Sequence, residues 1–321
     1  MKVIAIGGGT GLSTILRGLK GKNLELTAVV AVTDEGGSSG KIREELNVPP
    51  PGDVRNNIIA LAKVESLMSK LFSYRFRTNG SLSEHSVGNI ILAALTMMTG
   101  SFAKAVRYAS DILAIEGKVL PVCEELVRLK AIYSDGSTVV GETEIAKKTD
   151  SRIVLVDLDK KVRALDEVLS DISQADAILL GPGSLYTSVI TNLLVDGMAE
   201  VIGENKRAKK IYIANIMTQP GETIGYSLED HVYEVERYLK VRLDYIVANR
   251  TLPPKDVLES YAKQGSEPVL PRGRVDERYI FQDLLEITYE ANDPRPKARH
   301  DPHKTAEVVI DLLGGRSSNE K

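Results

Sequence analysis

Several things are scarce in this 321-residue chain, and each scarcity closes off a class of protein. There is one cysteine, Cys123, so an internal disulfide framework is excluded and a reducing cytoplasm is the expected location. Cys123 lies in the apolar run VLPVCEEL, which reads as a buried thiol rather than a nucleophile. No apolar run approaches the roughly 20 residues that a bilayer span requires. The run after Met1 reaches glycine too soon for a signal peptide, so no membrane insertion is expected. An excess of positive charge is missing too. The formal net charge is −3, whereas a general nucleic-acid surface needs clustered cations to displace phosphate counterions. Tryptophan is absent and aromatics make up 5%, so the core must be built from Val, Ile and Leu. No Ser-His-Asp arrangement follows from spacing.

What the chain has instead is glycine at the ends of apolar runs. Val3 to Ile6 stops at Gly7-Gly8-Gly9, and Leu12, Ile15, Leu16 and Leu19 follow at helical spacing. A second run, LTAVVAVT, stops at Asp34. Strand, glycine turn, helix and strand in that order open a parallel, doubly wound sheet, whose strands are buried on both faces. RIVLVDL, DAILLGPG, KIYIANIM and DYIVANR read as further buried strands. The expected fold is a single three-layer α/β/α, Rossmann-like domain over 1–314 with a mostly parallel sheet, followed by a disordered tail at 315–321. LVRLKAIYSDGSTVVGET turns at Asp135-Gly136, predicting an antiparallel hairpin insertion over about 126–144. From about Asn292 the chain is rich in proline and charge until Asp301-Pro302 starts a last helix.

Ligand chemistry is expected at the carboxyl ends of such strands. In GGGTGLS, the residues Gly8, Gly9, Thr10 and Gly11 lead a strand into a helix, where backbone N–H groups and the helix dipole hold phosphate. Leu12 stands where a dinucleotide fingerprint needs glycine, and no Walker Gly-Lys-Ser/Thr is present, which weakens an NAD-dependent reading. VTDEGGSSGK puts Asp34 and Glu35 beside Gly37, Ser38 and Ser39. An acid there suits a ribose hydroxyl, or adjacent carboxylates suit Mg²⁺ next to a small-residue anion nest. PPPGDVRNN offers Asp53 as a helix N-cap, with Arg55, Asn56 and Asn57 supplying a cation and amides for a phosphate or sugar.

EHSVGN sets His85 and Asn89 on one helical face that Gly88 leaves open, and His85 joins Asp34 as a catalytic candidate. LLGPGSLYTS reads as a third anion-competent loop through Gly181, Gly183 and Ser184, with hydroxyls from Tyr186, Thr187 and Ser188. Asn215 and Thr218 in ANIMTQPGET, and Asn249 in VANR, are amide and hydroxyl groups suited to sugars and bases. His300 and His303 in HDPH form a weaker metal candidate.

With GGGTGLS, TDEGGSSG, PPPGDVRN, HSVGN, GPGSLYTSVITNLL and NIMTQPGET in this order, the sequence resembles the YvcK family, also called gluconeogenesis factors, of the CofD-like superfamily. The resemblance runs from residue 3 to about residue 260. It implies binding of a UDP-sugar such as UDP-N-acetylglucosamine and a role in growth and cell shape on gluconeogenic carbon sources. It implies a regulatory protein more than an enzyme. The superfamily's enzymatic branch offers the alternative, a Mg²⁺-dependent transfer of a phospholactyl-type group from a guanosine diphosphate adduct. Its acidic metal loop matches Asp34 and Glu35 here. This chain departs from the family pattern with Glu35 where a second Asp is usual, Glu84 where Gly is usual and Thr191 where Pro is usual. Assembly with copies of itself and contact with cell-envelope regulators are expected alongside.

Overall fold

A computed structural model describes residues 1–64, 67–290 and 293–314. The expected tail at 315–321 lies outside the described residues. Seven strands form the main sheet: β1 (Lys2–Gly7), β2 (Glu25–Val30), β3 (Lys118–Pro121), β7 (Ala177–Leu180), β8 (Lys209–Ile213), β9 (Tyr245–Asn249) and β10 (Tyr279–Gln282). Their spatial order is β10-β9-β8-β7-β1-β2-β3, and every pairing is parallel. The residues Val3 to Ile6 and Ala177 to Leu180 are completely buried, as near-continuous apolar strands covered on both faces must be.

The chain winds outwards from β1 through β2 to β3, then returns to the other side of β1 and winds through β7, β8, β9 and β10. Right-handed crossovers in the two directions place their helices on opposite faces. Helices Thr10–Leu19, Gly52–Leu61 and Pro302–Leu312 pack in one layer; Asp166–Ser173, Met198–Glu204 and Leu228–Leu239 pack in the other. Between β1 and β7 the winding reverses, and a doubly wound sheet opens a crevice at that point. Gly18 keeps the first layer tight. A Cβ there would run into the Pro302 carbonyl oxygen, so only glycine lets the first and last helices approach so closely.

The expected hairpin is larger than its sequence signal. It consists of β4 (Leu129–Tyr133) and β5 (Thr138–Val140), but β6 (Ile153–Leu158) adds a third antiparallel strand on the other side of β4. This corrects the reading of RIVLVDL as a strand of the parallel sheet. Val154 and Leu155 are exposed, so its apolar run covers only one side of a peripheral sheet. The proline- and charge-rich stretch before Asp301 contains strand structure that its sequence did not signal. β11 (Leu285–Glu290) and β12 (Asp293–His300) pair antiparallel, with Glu286 opposite Arg299 and Thr288 opposite Lys297. A two-stranded ribbon tolerates proline because one edge of each strand needs no ladder partner. The last helix begins as expected: the Asp301 carboxylate accepts the N–H groups of His303 and Lys304, and Pro302 occupies the first helical position.

Candidate functional site

The glycine turn after β1 sits at the switch point. Gly9 precedes the helix Thr10–Leu19 with no side chain capping that terminus, so the dipole end faces the crevice. Small residues are required on two sides. A Cβ on Gly11 would strike the Pro182 carbonyl, and one on Gly9 would strike the Asp53 carboxylate. A Cβ on Gly8 would lie 2.6 Å from the Ser188 hydroxyl.

The crevice has a volume of about 380 Å³. Of the expected contacts, Gly8, Gly9, Thr10, Gly11, Asp53, Gly183, Ser184, Asn215 and Thr218 line it. On the β8 side, Asn215 accepts the Gly183 N–H (3.1 Å) and donates to Gln219 (3.2 Å), which in turn donates to the Ser184 hydroxyl (2.7 Å). Lys297 and Arg299 from β12 also line the crevice, together with His300. His300 is buried and bonded to the Ala214 carbonyl, and burial lowers its pKa to about 4, so it is neutral. Its partner in the weak metal pair, His303, is exposed on the last helix.

Asp53 does not cap its own helix, as its sequence position suggested; Pro51 occupies that position. Its carboxyl group instead reaches across to the glycine turn and lies against Gly9. Burial pushes its pKa up to about 8, and Asp34 pushes the same way, against the pull of Arg55 and the Gly9 N–H. Glu142, from the helix that follows β5, also faces this space. Burial first, then the charges of Asp34, Asp53 and Glu222, hold its carboxyl well above the usual range.

The two acids of VTDEGGSSGK diverge. Asp34 accepts the Gly36 N–H (2.8 Å) and borders Gly52, while Glu35 turns away to Arg128, 2.9 Å distant. A metal shared by adjacent carboxylates at 34 and 35 is therefore not what this loop builds. Among the described residues, no group of three His, Cys, Asp or Glu side chains is placed to hold a metal ion. The small residues that follow are the start of a helix, Gly37–Leu46, rather than an open nest.

Behind the crevice a buried polar lattice absorbs five of the remaining expected contacts. The Ser38 hydroxyl meets His85 Nδ1 at 3.0 Å and accepts the Asn89 amide at 3.0 Å. Arg55 donates to Ser86, to Asn89 (2.8 Å) and to Asn56 (2.6 Å). Burial lowers the Arg55 pKa to about 10, with Arg75 adding repulsion. Ser39 is buried against Gly52. His85 thus faces Ser38 and does not line the crevice as a general base would. The face left open by Gly88 is filled by Arg55 and Phe72.

The helix start after the third glycine loop is already engaged. The N–H groups of Tyr186 and Thr187 and the Thr187 hydroxyl all go to the buried Glu222 carboxyl at 2.9, 3.3 and 2.9 Å. Gly181 gives its N–H to Ile6 (2.9 Å). Gly183 and Ser184 are left at the crevice wall, while the Tyr186 and Thr187 groups are taken by Glu222.

A family model described as 2-phospho-L-lactate transferase CofD matches residues 3–286. The chain belongs to the CofD family. Its relatives narrow this to the gluconeogenesis-factor, or YvcK, group. A Thermotoga maritima relative is 54% identical over 311 residues, covering 96% of this chain and 98% of its own. The Halalkalibacterium halodurans and Bacillus subtilis proteins named gluconeogenesis factor are 45% and 43% identical, covering 96% and 97% of this chain and 95% and 98% of theirs. A crystal structure of a UPF0052-family protein from Bacillus halodurans superposes with a TM-score of 0.88 at 43% identity, covering 96% of this chain and 99% of that one.

Several residues in and around this CofD-family crevice escaped sequence reading. Lys297 and Arg299 sit two apart, as one face of a strand requires, but the neighbouring prolines mask the alternation. Glu142 lies in VVGET and Glu222 in QPGET, both inside stretches read as turn and loop, with nothing local to show which way a carboxylate points. Asn192, buried beside the glycine turn, gave no signal at all.

Proposed function

We propose that this CofD-family chain binds a nucleoside-diphosphate sugar of the UDP-N-acetylglucosamine kind in the crevice between β1 and β7, and serves as a cytoplasmic regulator of growth and cell shape on gluconeogenic carbon. One observation carries the reading. The uncapped helix terminus behind Gly8 to Gly11 opens onto a crevice of about 380 Å³, a size common for small-molecule sites. Phosphate gains there from the helix dipole and from the cationic side chains of Lys297 and Arg299 in the wall. The amide and hydroxyl rim of Ser184, Asn215 and Gln219 suits the many hydroxyls of a sugar, and the neutral His300 adds no competing charge. The one histidine proposed as a base, His85, is occupied behind the site, which favours binding over turnover.

A second reading, Mg²⁺-dependent transfer, follows from the matching family model, which is described as 2-phospho-L-lactate transferase CofD. Calorimetry separates the two. Saturable binding of UDP-N-acetylglucosamine without Mg²⁺, and no product over hours, supports the regulator. GDP binding that demands Mg²⁺ supports the transferase, and the absence of binding by either nucleotide refutes both.

A further inference from the structure

The glycine turn is held from behind by two amides. Asn57 Nδ2 donates to the Gly8 carbonyl at 2.9 Å and to the Asp53 carbonyl at 2.8 Å. Asn192 Nδ2 donates to the Gly7 carbonyl at 3.1 Å and to the Ser188 carbonyl at 2.7 Å. The pattern is the same twice. Each asparagine spends one N–H on the carbonyl four residues back in its own helix and the other on the turn. Both side chains are completely buried. Their amide orientation is fixed by chemistry, because reversing either one would set its oxygen against two carbonyl oxygens.

We infer that Asn57 and Asn192 are positioning residues that turn the Gly8 and Gly9 N–H groups towards the ligand. In a trans peptide the C=O and the N–H of the same plane point in opposite directions. The Gly7 carbonyl shares its plane with the Gly8 N–H, and the Gly8 carbonyl shares its plane with the Gly9 N–H. Drawing both carbonyls back into the protein aims both N–H groups outwards. The Asp53 carboxyl, which lines the crevice, lies against Gly9 on that side. The two anchors are unequal. The Gly7 carbonyl also accepts the Ala31 N–H at 3.0 Å as part of the strand ladder, whereas among the described residues the Gly8 carbonyl is held by Asn57 alone. Asn57 is therefore the more consequential of the pair. Glycine at these positions allows the plane to rotate, and the asparagines decide which rotation is kept.

This inference rests on the proposed nucleotide site, and the test distinguishes failure of one from failure of the other. UDP and uridine are titrated into the wild-type chain and into the variants Asn57→Leu, Asn192→Leu and Asn205→Leu. Asn205 is the control: its buried amide also bridges two carbonyls, Ile172 (2.8 Å) and Ala175 (3.0 Å), far from the turn. The readout is the ratio of UDP to uridine affinity, which isolates the phosphate contribution and is insensitive to a general loss of stability. The ratio should fall at least tenfold in Asn57→Leu and about threefold or more in Asn192→Leu, with uridine affinity within twofold of wild type. Asn205→Leu should lower the melting temperature and leave the ratio intact. Asn192→Leu keeps the Ala31 hydrogen bond to the turn, so it carries the expectation even where Asn57→Leu does not fold. Unchanged ratios in the two turn variants overturn the inference. A wild-type chain that binds UDP no better than uridine overturns the phosphate site beneath it, and the positioning role with it.

Discussion

Asn in place of Asp53 gives a measurable consequence of the raised carboxyl. Asp53 sits against the glycine turn with Asp34 nearby, and its pKa stands at about 8 in the folded chain, against about 3.9 for an ordinary aspartate. The sign follows directly. Between these two values the unfolded chain has released a proton that the folded chain retains, so stability is full at low pH and is lost as pH rises towards 8. Each unit of such a shift is worth about 1.4 kcal/mol. Asp53 is only partly buried and opens to the crevice, so solvent screens much of the total. A loss on the order of 2 kcal/mol between pH 5 and 8 is the reasonable expectation. Glu142 and Glu222 are also raised and lower the stability of the parent chain in the same direction, so the comparison must be with the variant. Asp53→Asn removes one such group and keeps its size. Urea unfolding followed by circular dichroism, which needs no tryptophan, should give a flatter profile, with the variant about 2 kcal/mol more stable than the parent at pH 8 and no better at pH 5. Parallel profiles would refute the raised carboxyl.

Other substitutions separate the crevice from its support. Gly11→Ala drives a Cβ into the Pro182 carbonyl, and should cost about 1–3 kcal/mol by thermal unfolding as the turn is pushed from its neighbour, with nucleotide affinity falling at least tenfold by calorimetry. His85→Ala breaks a buried contact to Ser38 behind the site, so about 1–2 kcal/mol of stability should go while ligand affinity stays within threefold; loss of binding without loss of stability would restore His85 to the crevice. Glu222→Gln keeps an acceptor for the Tyr186 and Thr187 N–H groups and removes a carboxyl that burial raises, so its stability relative to the parent should improve as pH increases, as read from unfolding at pH 5 and pH 8.

The parallel sheet was legible because its strands are buried on both faces and so are written as unbroken apolar runs. RIVLVDL looked the same, yet the run lies in a peripheral sheet where Val154 and Leu155 face outwards; an apolar run records propensity, not which sheet receives it. β12 was hidden by its prolines, which a two-stranded ribbon accommodates. In the site, the glycine turn was legible because close backbone approach demands glycine and nothing else. The polar motifs around Ser38, Arg55, His85 and Asn89 were each read as a separate ligand contact, and in the fold they bond to one another. Spacing along a helix says which residues share a face and leaves open what that face meets. Glu142, Lys297 and Arg299 reach the crevice only through the insertion and the last ribbon, whose placement no local pattern encodes.

The most direct measurement is a crystal structure of this chain soaked with UDP-N-acetylglucosamine. The proposed site requires the diphosphate to lie against the N–H groups of Gly8 to Gly11, with the sugar towards Asn215 and Gln219 and the Lys297–Arg299 wall beside it. Density for the nucleotide elsewhere on the molecule, or no density under saturating ligand, would contradict the account.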